Sequence, residues 1–462
     1  MDEGAGAVRR RAGAVSRRRW LGGAGQTWLG GAALFAAAGA AGCGAAAGKD
    51  EPGVGRAAKT GKVSWMATGA GARVALHERQ AARFQEVSGN TVELVIHNSG
   101  PYEEKLFSLF AAGTAPDIFR LEGPFIPVMV AQGKLTALDD YIRRDRVDTA
   151  DIFEKGLAMY RWQGKQYALP WLAYRVLFFN VDLLEKNGVP LPPTDWADKK
   201  WNQAAFVGAV KRFGTAGAPP QPGGTWAYGS PLSGQDAWVW SLGNGGDVLS
   251  EDDKRFVLDQ PAAVEGLQYF ADLINVHKAH PTPSQAKEDA TLGAFLAGRS
   301  AFYFGAVATA GSLAAAPFRA DAAPIPWGSK GTPTTGGGHS WPLNKVSADP
   351  EVAWQLQRFL SGKENDLLQV QSGEAPPFRK STAALKEWKE RRPPLHPETM
   401  ARGAEFLARR PMAPTWNRID AALSQALTPV WEGQRAAREA LQSVKPEVES
   451  LLAEGWRQVD GR

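Results

Sequence analysis

Cys43 is the only thiol among 462 residues. A lone cysteine closes no disulfide within its chain, and its place at the end of a Gly/Ala-rich leader removes it from any catalytic role in the mature fold. His277 and His280 have the spacing of two metal ligands on one helical turn. No third ligand stands near them and Pro281 ends the segment, so a structural role is expected and no metal site. Asp139 and Asp140 could act as acid and base, but ahead of an apolar helical pattern they read as an N-terminal cap. Gly69-Ala-Gly71 follows a strand and opens a helix, as a dinucleotide loop does. Val74 holds the place of the third glycine, so a backbone nest that touches a ligand is the expected role. The sequence has no P-loop, no His-Glu-x-x-His pair and no Gly-x-Ser-x-Gly elbow. These residue types offer no catalytic or cofactor-binding constellation, so no cofactor is expected.

The leader carries the charge asymmetry. Residues 1–42 hold six arginines against Asp2 and Glu3, so most of the formal net charge of +5 lies there. The remainder is nearly neutral and gives no electrostatic footprint for nucleic acid. A basic segment, a short Gly/Ala-rich apolar run and small residues before Cys43 form the layout of an export signal. The run is too short and glycine-rich for a membrane span. Arg17-Arg18-Arg19-Trp20 resembles a twin-arginine signal, and Ala40-Ala41-Gly42-Cys43 resembles a lipobox. Residues 1–42 are therefore expected to be an export signal, Cys43 a lipidated N-terminus, and residues 43–61 a flexible tether.

Downstream, short β-rich runs alternate with helical periodicity. Residues 62–68 and 91–97 read as strands, and residues 74–87 as a helix capped at Gly89. A second helix is expected from Tyr102 to Gly113, then a strand over 117–121. A βαβαβ order argues for a parallel sheet with helices on both faces. Near the end, Leu441, Val444, Val448 and Leu451 repeat at helical spacing, and Pro446 is expected to break or kink that helix.

Residues 84–142 resemble the bacterial family 1 extracellular solute-binding proteins, the group that includes maltose-binding protein. The resemblance rests on a helix ending Ala111-Ala-Gly-Thr-Ala-Pro-Asp117 and a Gly133-x-Leu-x-x-Leu-Asp139 step. Further similar motifs follow in order: Gly164 to Pro170, Phe179-Asn180-x-Asp182, residues 192–196, residues 295–304, Gly336 to Trp341, and residues 431–441. Together they span about residues 60–455. Val307 stands where the family often has an aromatic.

The resemblance implies an α/β protein of two discontinuous lobes joined by a multi-strand hinge, the type II periplasmic-binding-protein architecture. Lobe 1 is expected at 62–175 plus 342–398 and lobe 2 at 176–341 plus 399–462. Crossings are expected near 174–179, 336–343 and 392–402. It also implies that the lobes close on a ligand and that an ABC permease receives the loaded, monomeric protein at the outer membrane face. Sugars have hydroxyl edges and apolar CH faces, so a sugar site needs aromatic plates beside planar donors and acceptors. Placed by the resemblance, the candidates are Trp65 on the first strand, Glu122, and Trp171 and Tyr174 at the first crossing. Asp236, Trp238 and Trp240 follow in the second lobe, then Gly337, His339 and Trp341 at the second crossing, and Glu374 and Arg379 before the third. A non-sugar solute (polyol, phosphorylated polyol or peptide) and an extracellular carbohydrate-active enzyme are the alternatives.

Overall fold

The computed structural model describes residues 60–98, 101–213, 224–286, 290–390 and 393–461. The arginine-rich leader, Cys43 and the tether up to residue 59 lie outside the described residues. Strand β1 (Lys62–Ala67) leads into helix α1 (Ala72–Ser88), which buries Leu76, His77, Gln80, Ala81 and Phe84 on one stripe. Gly89 ends it with φ of 74°, a left-handed cap that glycine adopts without strain. Strand β2 (Thr91–Ile96), helix α2 (Tyr102–Ala111) and strand β3 (Ile118–Phe119) follow. Both β2 and β3 pair with β1 in parallel, giving the order β2-β1-β3. Parallel neighbours need crossover segments, and the two helices supply them. β3 is shorter than the expected 117–121. The Asp117 carboxylate accepts from Ser64 N and Oγ at 2.8 and 2.6 Å, and Leu121 turns away to pair with Ser340.

A long strand, β4 (Pro170–Asn180), organises a second sheet. Strand β5 (Trp226–Gly229) and helices α3 (Gly234–Gly243) and α4 (Pro261–Asn275) come next, then strands β6 (Ser300–Ala306), β7 (Ala320–Ala323) and β8 (Gly336–Ser340). The order is β8-β4-β6-β5, with β7 also on β4. The first half of β4 pairs antiparallel with β8 and the second half with β6 and β7. Successive strand residues face opposite sides. Tyr174, Val176 and Phe178 enter one hydrophobic core, and Leu177 and Phe179 the other. One strand thus serves both lobes. The triple glycine of β8 permits its approach: a Cβ on Gly338 would stand 1.8 Å from the Trp171 carbonyl oxygen.

Helices α5 (Trp416–Trp431) and α6 (Ala437–Asp460) complete the second core. Contrary to expectation, α6 runs unbroken through Pro446. Leu441 and Val444 before the proline, and Val448 and Leu451 after it, bury on one stripe. That burial outweighs an interior-proline penalty of about 3 kcal/mol. Asp139 and Asp140 also differ from expectation: Leu138 is the cap residue, and Asp139 instead accepts from Gln166 N at 3.2 Å. A third passage between the two cores lies at residues 407–413. Leu407 still packs in the first core and Ala413 is the next residue in the second. Ala408 N donates to Thr334 O at 2.8 Å, so the crossing runs beside β8. No helix among the described residues is long and apolar enough to cross a membrane.

Candidate binding cleft

The inner end of β1, the start of α1 and the β4–β8 pair converge at the crossings. Trp65, His77, Trp171 and Trp341 pack there as one aromatic cluster. Trp341 meets Trp65 edge-on at 5.0 Å and lies nearly parallel to Trp171 at 6.0 Å. The register explains part of this: β8 sets His339 opposite Trp171, and their rings are 5.6 Å apart. Arg73, in the first turn of α1, places its guanidinium 5.5 Å from the Trp171 ring centroid and donates to Glu374 at 3.1 Å. Burial pushes His77 down to about 4, against a hydrogen bond to Gln80, so the ring is neutral and Nδ1 donates. The indole Nε1 atoms of Trp65 and Trp171 are buried without a partner.

Beside the aromatics lies an ion network. Arg120 donates to Glu103 at 2.9 Å, to Glu122, and through Nε to His339 Nδ1 at 2.6 Å. Arg410, on the third crossing, donates to the other Glu122 oxygen at 2.5 Å. Burial opposes ionisation of Glu122, but Arg410 and Arg120 outweigh it and hold the carboxyl at about 2. For His339, burial and then Arg120 lower the pKa well below the usual value, which fixes a neutral acceptor at Nδ1. Gly337 leaves room for Arg410, since a Cβ there would stand 2.4 Å from its Nη1 and shift the guanidinium.

The second-lobe wall is built by α3 and α5. Asp236, in the first turn of α3, accepts from Arg175 of β4 at 2.5 Å and from Ser233 Oγ. Burial raises its pKa against these partners. Trp238 packs edge-on against Trp416 at 5.3 Å. Asp420 lies one turn beyond Trp416 on α5, and its Oδ1 is buried without a partner. A cavity of about 490 Å³ opens beside the third crossing and reaches the network at Arg410; Met159, Trp162, Asp253, Arg409 and Met412 also line it.

The structure brings Trp65, Glu122, Trp171, Gly337, His339, Trp341 and Glu374 together at the crossings; Asp236 pairs with Arg175 from α3, and Trp238 packs against Trp416 within the second core. Three other candidates sit differently. Tyr174 spends its hydroxyl on Met400 O at 2.5 Å, away from the aromatic cluster. Trp240 lies in the second core, as Trp238 does, but deeper among its aromatics, parallel to Phe206 at 5.9 Å. Arg379 is 1% exposed, donates to Ser361 O at 2.8 Å and pairs with Asp151 at 3.2 Å. Trp238 and Trp240 are two apart on a helix and must face different sides, a signal present in the sequence. Arg73, Arg120, Arg175, Arg410 and Asp420 were not singled out from sequence. Only the helical spacing of Trp416 and Asp420 hinted at the last. Val307 is buried, and its amide bonds Tyr174 O at 2.9 Å. Of the histidine pair, His280 is buried against Ser230, and no cluster among the described residues fits a metal ion.

Comparison with known proteins converges on one family. The family model described as bacterial extracellular solute-binding protein matches residues 64–366. A probable ABC transporter-binding protein of Deinococcus radiodurans is 26% identical over 307 residues, covering 63% of this chain and 70% of that one. An ABC substrate-binding protein of Listeria monocytogenes, solved with cycloalternan, superposes with a TM-score of 0.75 at 20% identity, covering 86% of this chain and 100% of that one. The sugar-binding protein MalE of Xanthomonas citri gives 0.73 at 21% identity, covering 85% and 98%. The type II two-lobed fold is common to these structures and to this chain.

Proposed function

Because this chain belongs to the bacterial extracellular solute-binding protein family, we propose that it captures a neutral sugar or oligosaccharide between its lobes and delivers it to an ABC permease. The observation that carries the sugar assignment is the set of side chains packed together at the crossings. Aromatic rings stand beside arginines whose charge is already answered by carboxylates: Arg73 by Glu374, Arg120 by Glu103 and Glu122, Arg410 by Glu122, Arg175 by Asp236. A phosphorylated solute needs uncommitted cations, whereas hydroxyls exchange hydrogen bonds with paired ions while CH faces cover the rings. The structural neighbours solved with cycloalternan and with maltose favour the same ligand class.

The lobes, taken as residues 62–175 with 342–398 and 176–341 with 399–462, close by bending at the crossings. Nothing in this chemistry alters the ligand, so turnover is not expected. Cys43 carries a lipid that holds the monomer at the extracytoplasmic membrane face after export. A Cys43→Ser protein should leave the membrane fraction. The deciding experiment is a thermal-shift panel of neutral saccharides, polyols, amino acids and sugar phosphates, because a specific ligand at about 100 times its Kd stabilises the fold by about 2.7 kcal/mol. A shift with neutral saccharides is expected; shifts with sugar phosphates alone would overturn the proposal.

A further inference from the structure

On the second-lobe wall, three buried polar atoms lack partners: Trp238 Nε1, Arg410 Nε and Asp420 Oδ1. Two of these residues are neighbours. Trp238 Cε2, the ring atom bonded to Nε1, and Asp420 Oδ1 both lie within 3 Å of the point where a Gly234 Cβ would stand, at 2.9 and 2.7 Å. A side chain at Gly234 would fill that space. Trp416 fixes the arrangement from α5, since it packs on Trp238 and shares a helix face with Asp420 one turn later. Arg410 and Trp238 also line a common small cavity of about 20 Å³, room for about one oxygen-sized group. The carboxylates of Glu122, Asp236 and the guanidinium of Arg410 all act electrostatically on Asp420.

Trp238 adjoins Asp420 at Gly234 and Arg410 at the small cavity, so two N–H donors and one carboxylate acceptor without partners lie along one stretch, complementary to groups that both donate and accept. A hydroxyl does both; an ammonium only donates and an anion only accepts. We propose that Asp420 is a specificity-determining ligand residue, whose carboxylate accepts hydrogen bonds from hydroxyls of the captured saccharide while Trp238 and Arg410 donate to the same end of it. This inference rests on the carbohydrate assignment above. It also selects against acidic sugars, which would bring an anion to an open carboxylate.

The test is titration calorimetry and melting of the wild-type, Asp420→Asn and Asp420→Ala proteins with maltose, maltotriose, ribitol, glucosamine and glucuronate. For the neutral sugar that wild type binds, affinity should fall about 10-fold in Asp420→Asn and about 10–100-fold in Asp420→Ala, the range for hydrogen bonds to a charged group. Without ligand, both variants should melt at or above wild type, because an unpartnered buried carboxylate is gone. Unchanged affinity for that sugar, or tightest wild-type binding of glucosamine or glucuronate, overturns the role of Asp420 alone. Lowered melting with unchanged affinity marks a structural residue and overturns it too. No binding of any neutral sugar overturns the carbohydrate assignment, and this inference with it.

Discussion

Replacing Glu122 with glutamine keeps the side chain's shape and removes the charge that ties Arg120 to Arg410. The carboxyl sits at about 2 instead of the ordinary 4.5. At about 1.4 kcal/mol per pH unit, that difference corresponds to roughly 3 kcal/mol of preference for the ionised form. The side chain is 22% exposed, and solvent screening reduces the figure to about 2 kcal/mol. The folded pKa is depressed, so this stability is fully present above about 4.5 and is lost as pH falls from there toward 2. Glu122→Gln should therefore destabilise the ligand-free protein by about 2 kcal/mol at pH 7, and its urea midpoint should decline less steeply than wild type between pH 4.5 and 3. Urea denaturation followed by tryptophan fluorescence reads both quantities. A variant as stable as wild type at pH 7, with the same acid slope, would refute the claim that the two arginines need this carboxylate.

Three further outcomes are expected. Burial holds His77 and His280 at about 4; the unfolded chain protonates first, so stability falls as pH drops from about 6.5 to 4, by up to about 3 kcal/mol per histidine. His280→Gln should flatten that slope in a urea-midpoint series, and an unchanged slope would count against it. Gly338→Ala forces a Cβ onto the Trp171 carbonyl oxygen and should cost about 2–3 kcal/mol by separating β8 from β4, read as a lowered melting temperature. Trp240→Phe should lower stability by about 1–3 kcal/mol through a core cavity and leave the affinity for a bound sugar unchanged; a calorimetric loss of affinity would place Trp240 at the ligand after all.

Much of the local structure was legible because it depends on neighbours in sequence. The apolar stripe of α1, its glycine cap and the β-branched run of β2 follow from short-range sterics and periodicity. The helix through Pro446 was not legible, because its stability comes from the second core on either side of the proline. Within residues 392–402, the burial of Met400 and Ala401 against Tyr174 was likewise not legible, because it depends on a strand more than two hundred residues away. The cleft shows the same division. Aromatic and acidic types with an affinity for sugars were visible one by one. Their partners were not, because Arg73 meets Glu374 and Glu122 meets Arg410 across hundreds of residues.

Sequence alone thus determined the order of the first strands and helices, the glycine cap of α1, and the family to which the motifs belong. Tertiary structure alone decided that Trp238 meets Trp416 while Trp240 meets Phe206, which arginines are already neutralised, and that Arg379 is a buried strut. The physical reason is range. Backbone preference and hydrophobic periodicity act within a few residues, whereas burial and charge pairing depend on which distant segments the folded chain brings into contact.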